Sequence, residues 1–240
     1  MESHGRELSR RRFLGSVGVA AGGAVVGGGV LGAETASGRV TQRPATPNAA
    51  LKALMEGNAR YRKGLWSRRD YSPVGERRAS SQKPFAAILT CADSRVSPPL
   101  VFDVERGNLF SAQVAGNAMD PGTLGSIEYA VAVLAVPLVM VLGHSDCGAV
   151  QAAMGVAAGT ASYPPEQYGA IGAVVDRVVP AVQTLEPAER TLERCIDRNA
   201  NVQAQLLRAT NPIIAPRVAD GRLRVVGAVY DIATGRVELA

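Results

Sequence analysis

The chain has 240 residues, 47% of them hydrophobic, 20% charged and 5% aromatic, with a formal net charge of +5. That balance fits one substantial globular domain and excludes a disordered chain. It also gives no nucleic-acid surface: the densest basic group, Arg68, Arg69, Arg77 and Arg78, is broken by Asp70 and Glu76 and has no aromatic stacking array beside it.

Residues 1–36 read as an export signal. SRRRFLG, residues 9–15, puts a basic flank ahead of the uncharged run LGSVGVAAGGAVVGGGVLGA. The glycine in that run disfavours a stable membrane anchor and would weaken a core helix. Arg10 and Arg11, followed by Phe13 and Leu14, resemble the twin-arginine signal that exports folded proteins. The expected destination is periplasmic or extracellular. Membrane contact is expected through the leader during export, or as a tether if the leader is not cleaved. Residues 37–47, containing TQRPATP, read as a linker, and the folded domain is expected over 48–240.

That domain opens with NAALKALMEGNARYRKG, where Leu51, Leu54, Met55 and Tyr61 recur at near-helical spacing. An amphipathic helical arm is predicted, packed on the core or on a partner subunit. Trp66 to Gln82 is polar and reads as a loop. Strands are predicted at PFAAILTC (84–91) and LFSAQVAGN (109–117). A helix over 121–135 places Leu124, Ile127, Val131 and Leu134 on one face. VPLVMVLGH (136–144) is apolar throughout, as a strand covered on both faces must be. GAVQAAMGVAAG reads as a helix, as do 165–185 and 187–209, and LRVVGAVYDIATGRVELA reads as two strands around an Ala-Thr-Gly turn. The alternation predicts an α/β fold with a central, mostly parallel sheet flanked by helices, whose ligands bind at the carboxyl ends of the strands.

His144 falls at the carboxyl end of the central strand, Cys147 at the start of the next helix, and Cys91 at the carboxyl end of another strand. If those strands are neighbours, the three converge as two thiolates and an imidazole, a zinc arrangement with a fourth position open. The other histidine, His4, lies in the leader, so a three-histidine site is excluded. No G-x-S-x-G elbow supports a serine hydrolase. A Cys–His nucleophilic site and a Cys91–Cys147 disulfide stay open, while Cys195 reads as a small buried residue in a helix. Asp93 and Arg95 are two apart, close enough for the guanidinium to keep a carboxylate ionised beside a metal-bound water. Asp146, between the ligands, reads as charge compensation at a helix N-terminus before it reads as a proton-transfer helper.

CADSRV, EYAV and GHSDCGAV, in this order and spacing, resemble the β-class carbonic anhydrases, over roughly 48–240 and including YDIATG. The resemblance implies one zinc ion per subunit on Cys91, His144 and Cys147, with Asp93 and Arg95 as the catalytic dyad. It implies a homodimer or homotetramer whose substrate pocket is shared between subunits and lined by Gln82, Phe110 and Tyr129. The implied reaction is the reversible hydration of carbon dioxide to bicarbonate and a proton, by hydroxide on the zinc. The family also shows a state in which this aspartate takes the fourth zinc position, a hypothesis for Asp93 at lower pH, whereas Gln82, Phe110 and Tyr129 resemble the group in which that position stays open. Rival readings are hydrolysis of carbonyl sulfide or carbon disulfide on the same zinc, and a non-catalytic zinc-binding protein. Thiolates are open to oxidation outside the cytoplasm, so export after folding around zinc would suit such a site.

Overall fold

The computed structural model describes residues 43–66 and 82–240. The expected export signal, most of the expected linker and the polar stretch from Ser67 to Ser81 lie outside the described residues. Chain order begins with helix α1 (Pro47–Arg62), strand β1 (Ala86–Thr90), the short helix α2 (Pro98–Val101) and β2 (Leu109–Gln113). It continues with α3 (Pro121–Ala132), β3 (Leu138–His144), α4 (Gly148–Ala157), α5 (Pro165–Tyr168), α6 (Ile171–Gln183) and α7 (Leu192–Ala209). The last elements are α8 (Ile214–Ala219), β4 (Arg224–Tyr230) and β5 (Val237–Leu239). The five strands form one sheet in the order β2-β1-β3-β4-β5. The first four are mutually parallel, and β5 returns antiparallel beside β4.

Both faces of the central strands are covered. Ala86 and Ile88 of β1, with Leu138, Met140 and Leu142 of β3, pack under Ala50, Leu51 and Leu54 of α1. The alternate residues Ala87, Leu89, Val139 and Val141 pack against Ile127 and Val131 of α3 and Leu207 of α7. This is why 136–144 carries no polar alternation: every residue of β3 is buried. Each such large side chain contributes about 1.5–3 kcal/mol relative to exposure.

Helix α1 starts at Pro47, one residue before the expected boundary, with the Thr46 hydroxyl accepting the Ala49 N–H at 3.3 Å. The end of the linker is already held, since the Arg43 guanidinium donates to the Leu134 and Ala135 carbonyls at the end of α3. The arm packs on its own core through Ala50, Leu51, Leu54 and Asn58, with Met55 and Tyr61 partly buried against it. Asn58 uses its whole amide there. It donates to the Val101 and Gly235 carbonyls at 3.0 and 2.8 Å and accepts the Val237 N–H at 3.0 Å, joining α1, α2 and the C-terminal hairpin.

Several boundaries differ from the sequence expectation. The strand expected over 109–117 ends at Gln113, because Ala115–Asn117 close a 3-10 turn with Gly116 at φ +69°, and the helix expected over 121–135 ends at Ala132. The helix expected over 165–185 is two, α5 and α6, parted at Gly169, whose φ of +57° suits glycine. The helix expected from 187 begins as a 3-10 turn, and α7 starts only where the Thr191 hydroxyl accepts the Arg194 N–H. Helix α8, which the hydrophobic spacing did not announce, spans six residues and seats Ile214 against the sheet.

The topology fixes where a site can form. From β1 the chain moves outward to β2, then crosses back over β1 to β3. The carboxyl ends of β1 and β3 therefore flank the point where the winding reverses, the place where open α/β sheets bind ligands.

Candidate metal centre

Thr90, the last residue of β1, is level with Leu142 of β3, and its hydroxyl donates to the Leu142 carbonyl at 3.0 Å. Cys91 leaves β1 one residue beyond that pair, and His144 ends β3 two residues beyond it. Ser145 and Asp146 turn the chain, with Asp146 at φ +56°, and Cys147 becomes the residue capping α4. The ligand atoms of Cys91, His144 and Cys147 all lie within 4.8 Å of one another, and the three residues are buried. All three cysteines are free thiols, so no Cys91–Cys147 disulfide exists. Cys195 is a fully buried member of the core behind the site, as the sequence suggested.

The histidine is prepared as a ligand. Its Nδ1 lies 2.8 Å from the Ser145 carbonyl oxygen, which only accepts, so Nδ1 carries the proton and Nε2 keeps a lone pair. Nε2 is buried and has no hydrogen-bond partner. An orphaned imidazole lone pair facing two thiols is costly unless a cation sits among them.

The thiols point to the same occupant. The Cys91 thiol is pulled down to about 4, chiefly because its sulfur accepts a hydrogen bond from Cys147, with His144 and the Gly116 N–H adding to it against burial. The Cys147 thiol is pushed up by that same contact and by burial, although the backbone N–H groups of Val150 and Ala149 favour its thiolate. Two sulfurs this close share one proton, and both become thiolates only beside a cation. Burial opposes charging His144, but the Cys91 sulfur and the Ser145 carbonyl outweigh it and raise its pKa. Buried soft donors in a set of two sulfurs and one nitrogen fit zinc, with one coordination position left over.

Asp93 and Arg95 lie at the rim. Arg95 Nε and backbone N–H both donate to Asp93 Oδ1 at 2.9 Å, and Nη2 donates to Oδ2 at 2.8 Å. This fork holds the Asp93 carboxyl well below the usual carboxylate range, against a partial cost of burial. Asp93 Oδ2 lies 3.9 Å from His144 Nε2, so the locked carboxylate borders the metal position. The acid Asp146 is exposed on the turn between the ligands.

The other expected site residues sit elsewhere in the chain. Phe110 and Tyr129 do meet, with ring centroids 6.3 Å apart. Phe110 is level with Ala87, four residues before Cys91, which at about 3.3 Å per residue is roughly 13 Å from the metal end. Gln82 is exposed ahead of the amino end of β1.

Sequence reasoning missed three groups. They are the Ser145 carbonyl, the Gly116 N–H, which donates to Cys91 Sγ at 3.3 Å, and Asn199, whose Nδ2 donates to the Gly116 carbonyl at 2.8 Å. The carbonyl and the N–H leave no trace in residue types. Asn199 does leave one, as an amide inside the apolar stripe of α7.

A family model described as "Carbonic anhydrase" matches residues 86–237, more than half of the chain. This chain belongs to the carbonic anhydrase family. The carbonic anhydrase 2 of Mycobacterium tuberculosis is 40% identical over 196 residues, covering 80% of this chain and 92% of that protein. The carbonic anhydrase of Pseudomonas aeruginosa is 34% identical, covering 78% and 86%. Among solved structures, the β-carbonic anhydrase CcaA superposes with a TM-score of 0.60 at 27% identity, covering 79% of this chain and 94% of that one. The Coccomyxa β-carbonic anhydrase gives 0.60 at 25% identity, covering 79% and 85%. The carbonic anhydrase fold here is thus that of the β class, and the matched region carries the whole Cys91, His144, Cys147, Asp93 and Arg95 cluster.

Proposed function

We infer that this carbonic anhydrase catalyses the reversible hydration of carbon dioxide to bicarbonate and a proton, with one zinc ion held by Cys91, His144 and Cys147. The observation that carries this is the buried lone pair of His144 Nε2 between two free thiols, beside a carboxylate locked by arginine. Zinc bound there supplies a water whose pKa is lowered toward neutrality.

The chain's own residues do the rest. The Arg95 fork favours the ionised form of Asp93, and a carboxylate only accepts, so it can orient a water O–H. Arg95 fixes the carboxylate's plane by holding both oxygens, which is positioning in advance of reaction. A cleft of about 450 Å³ opens over Asp93, lined in part by Ser94, Ser97, Pro98, Ser111 and Gln113, ample room for a three-atom substrate. The single described histidine is committed through Nε2, so the product proton leaves through water or buffer.

The same reading extends to partner and location. Phe110, Tyr129 and Val133 form an apolar surface beside β2, the edge strand of the sheet among the described residues, with Tyr129 48% and Val133 61% exposed. That surface supports a homodimer in which Gln82, Phe110 and Tyr129 reach the partner's pocket, which explains their distance from this protomer's metal end. Val133→Glu is expected to give monomers by sedimentation. A dimer unchanged by that substitution argues against this face. The SRRRFLG leader supports export by the twin-arginine route, to the periplasm or beyond. Retention of an Arg10→Lys, Arg11→Lys chain in the cytoplasm would support it, and unchanged export would remove it.

Stopped-flow hydration of carbon dioxide, expressed per bound zinc, tests the activity. A rate far above buffer, lost in Cys147→Ala, supports the reading. Full zinc occupancy without hydration directs the same site to carbonyl sulfide or carbon disulfide, or to a non-catalytic role.

A further inference from the structure

The buried stripe of α7 is Cys195, Ile196, Asn199, Ala200, Gln203, Ala204 and Leu207. Two amides one turn apart interrupt it, Asn199 and Gln203, 1% and 2% exposed. A buried amide costs stability unless it is hydrogen-bonded; Asn199 Oδ1 is buried without a partner, and the bonds these two amides do make reach the same short segment. Asn199 Nδ2 donates to the Gly116 carbonyl at 2.8 Å. Gln203 Oε1 accepts the Met119 N–H at 2.9 Å, and its Nε2 donates to the Arg177 carbonyl at 3.3 Å.

The segment between those anchors is a left-handed turn. Gly116 and Asn117 are both left-handed, with φ of +69° and +45°. Glycine and asparagine are the two residues that adopt this region most readily. The product of the turn is the direction of one bond, since it aims the Gly116 N–H at Cys91 Sγ, 3.3 Å away. α7 thereby reaches a zinc-binding sulfur through a single backbone residue.

We propose that Asn199 is a positioning residue for the metal centre: by holding the Gly116 carbonyl it keeps the Gly116 N–H on the Cys91 sulfur and so sets how strongly that sulfur binds zinc. Gln203 fixes the far end of the same turn. This rests on the zinc reading above. An N–H···S bond draws charge from the sulfur and holds its lone pairs in place. Without it the sulfur is richer in electrons and free to turn. Partners of this kind are worth about 10–100-fold in metal affinity.

The test uses the full chain as wild type, Asn199→Leu and Cys195→Ala. Cys195 is equally buried in α7, belongs to the cluster that includes Cys91 and Cys147, and makes no hydrogen bond to the turn, so it reports the cost of disturbing that packing without touching the hydrogen bond. Zinc affinity is read by chelator competition, and the sulfur's electronic state by the thiolate-to-metal charge-transfer band after cobalt(II) substitution. Asn199→Leu is expected to weaken zinc about 10–100-fold and move the band to longer wavelength, while Cys195→Ala does neither. Equal loss of zinc in both variants, with no band shift, would overturn the proposal. If Asn199→Leu does not fold, the wild type decides: cadmium-113 loading is expected to give a scalar coupling between the metal and the Gly116 amide proton, and its absence overturns the proposal. A wild type that binds no zinc would sink the metal reading itself, a result distinguishable from all of these.

Discussion

Gly116→Ala puts the support of Cys91 under a measurable load. At φ +69° an alanine costs about 1–2 kcal/mol more than a glycine, because its Cβ crowds the following carbonyl. Here the Cβ would also lie 3.0 Å from Val178 Cγ2 and 3.1 Å from the Ala149 Cβ, well inside the roughly 3.5–4.0 Å at which carbons attract. Crowding of this kind adds about 1–3 kcal/mol. The sum, about 2–5 kcal/mol, is below most of the usual range of total stability, about 5–15 kcal/mol, so the variant is expected to fold with a reduced margin. Ala149 belongs to the first turn of the helix that Cys147 caps, so relief of the clash moves one ligand's support or takes the N–H from the other. The loss should therefore be larger with zinc bound. A 10–100-fold weaker site adds about 1.4–2.8 kcal/mol. The assay is urea unfolding of the zinc-loaded and zinc-stripped protein. Gly148→Ala serves as the control, since its Cβ meets nothing within 4 Å although it adjoins Cys147. An equal loss with and without zinc would refute the coupling, and a loss below about 0.5 kcal/mol would refute the packing argument.

Arg95→Ala should let the Asp93 carboxyl rise from far below its ordinary value to about 4. A depressed carboxyl stabilises the fold above the unfolded pKa, and this is lost as pH falls through the native value. The wild type therefore keeps Asp93 charged at pH 4 while the variant is about half protonated, as carbon-13 titration will read. kcat/KM near neutrality should fall about 10²-fold from lost positioning. Asn58→Leu strands the Val101 and Gly235 carbonyls and the Val237 N–H. It should cost about 3–5 kcal/mol, with faster hydrogen exchange along β5 as the local sign. With no second described histidine to carry protons, kcat should rise with buffer concentration at fixed pH; a rate independent of buffer would reveal an internal relay.

What could be read from the sequence follows what is local. The run 136–144 announced β3 because a strand buried on both faces has no polar alternation to lose. Cys91, His144 and Cys147 were legible because soft donors at strand ends are rare and their spacing is restrictive. The break at Gly169 was not, because the apolar spacing on either side continues through it. Helix α8 is too short to build a period. Phe110 and Tyr129 were named through resemblance alone, and within the chain they form an aromatic pair distant from the metal end. Asn199 and Gln203 stood in plain view as amides inside an apolar stripe, but their target was set by the fold.

The centre is assembled from contacts that differ in how much they ask of the sequence. The ligands need only strand ends. β1 and β3 are adjacent and in register, so Cys91 and His144 meet wherever those two strands pair, and the turn at Asp146 delivers Cys147. What the strands alone cannot supply is compensation for the charge that the donors must carry. One of two neighbouring thiols holds its proton until a cation arrives, and His144 Nε2 is left facing it without a partner. The surrounding backbone is arranged against that cost. N–H groups at the start of α4 face Cys147, the Gly116 N–H faces Cys91, and the Ser145 carbonyl fixes the imidazole proton on the far side of the ring. Each of these is a dipole already turned toward the charged, metal-bound form before any metal arrives. Substitutions that leave all three ligands in place but disturb these dipoles should therefore act first on metal affinity and only afterwards on fold.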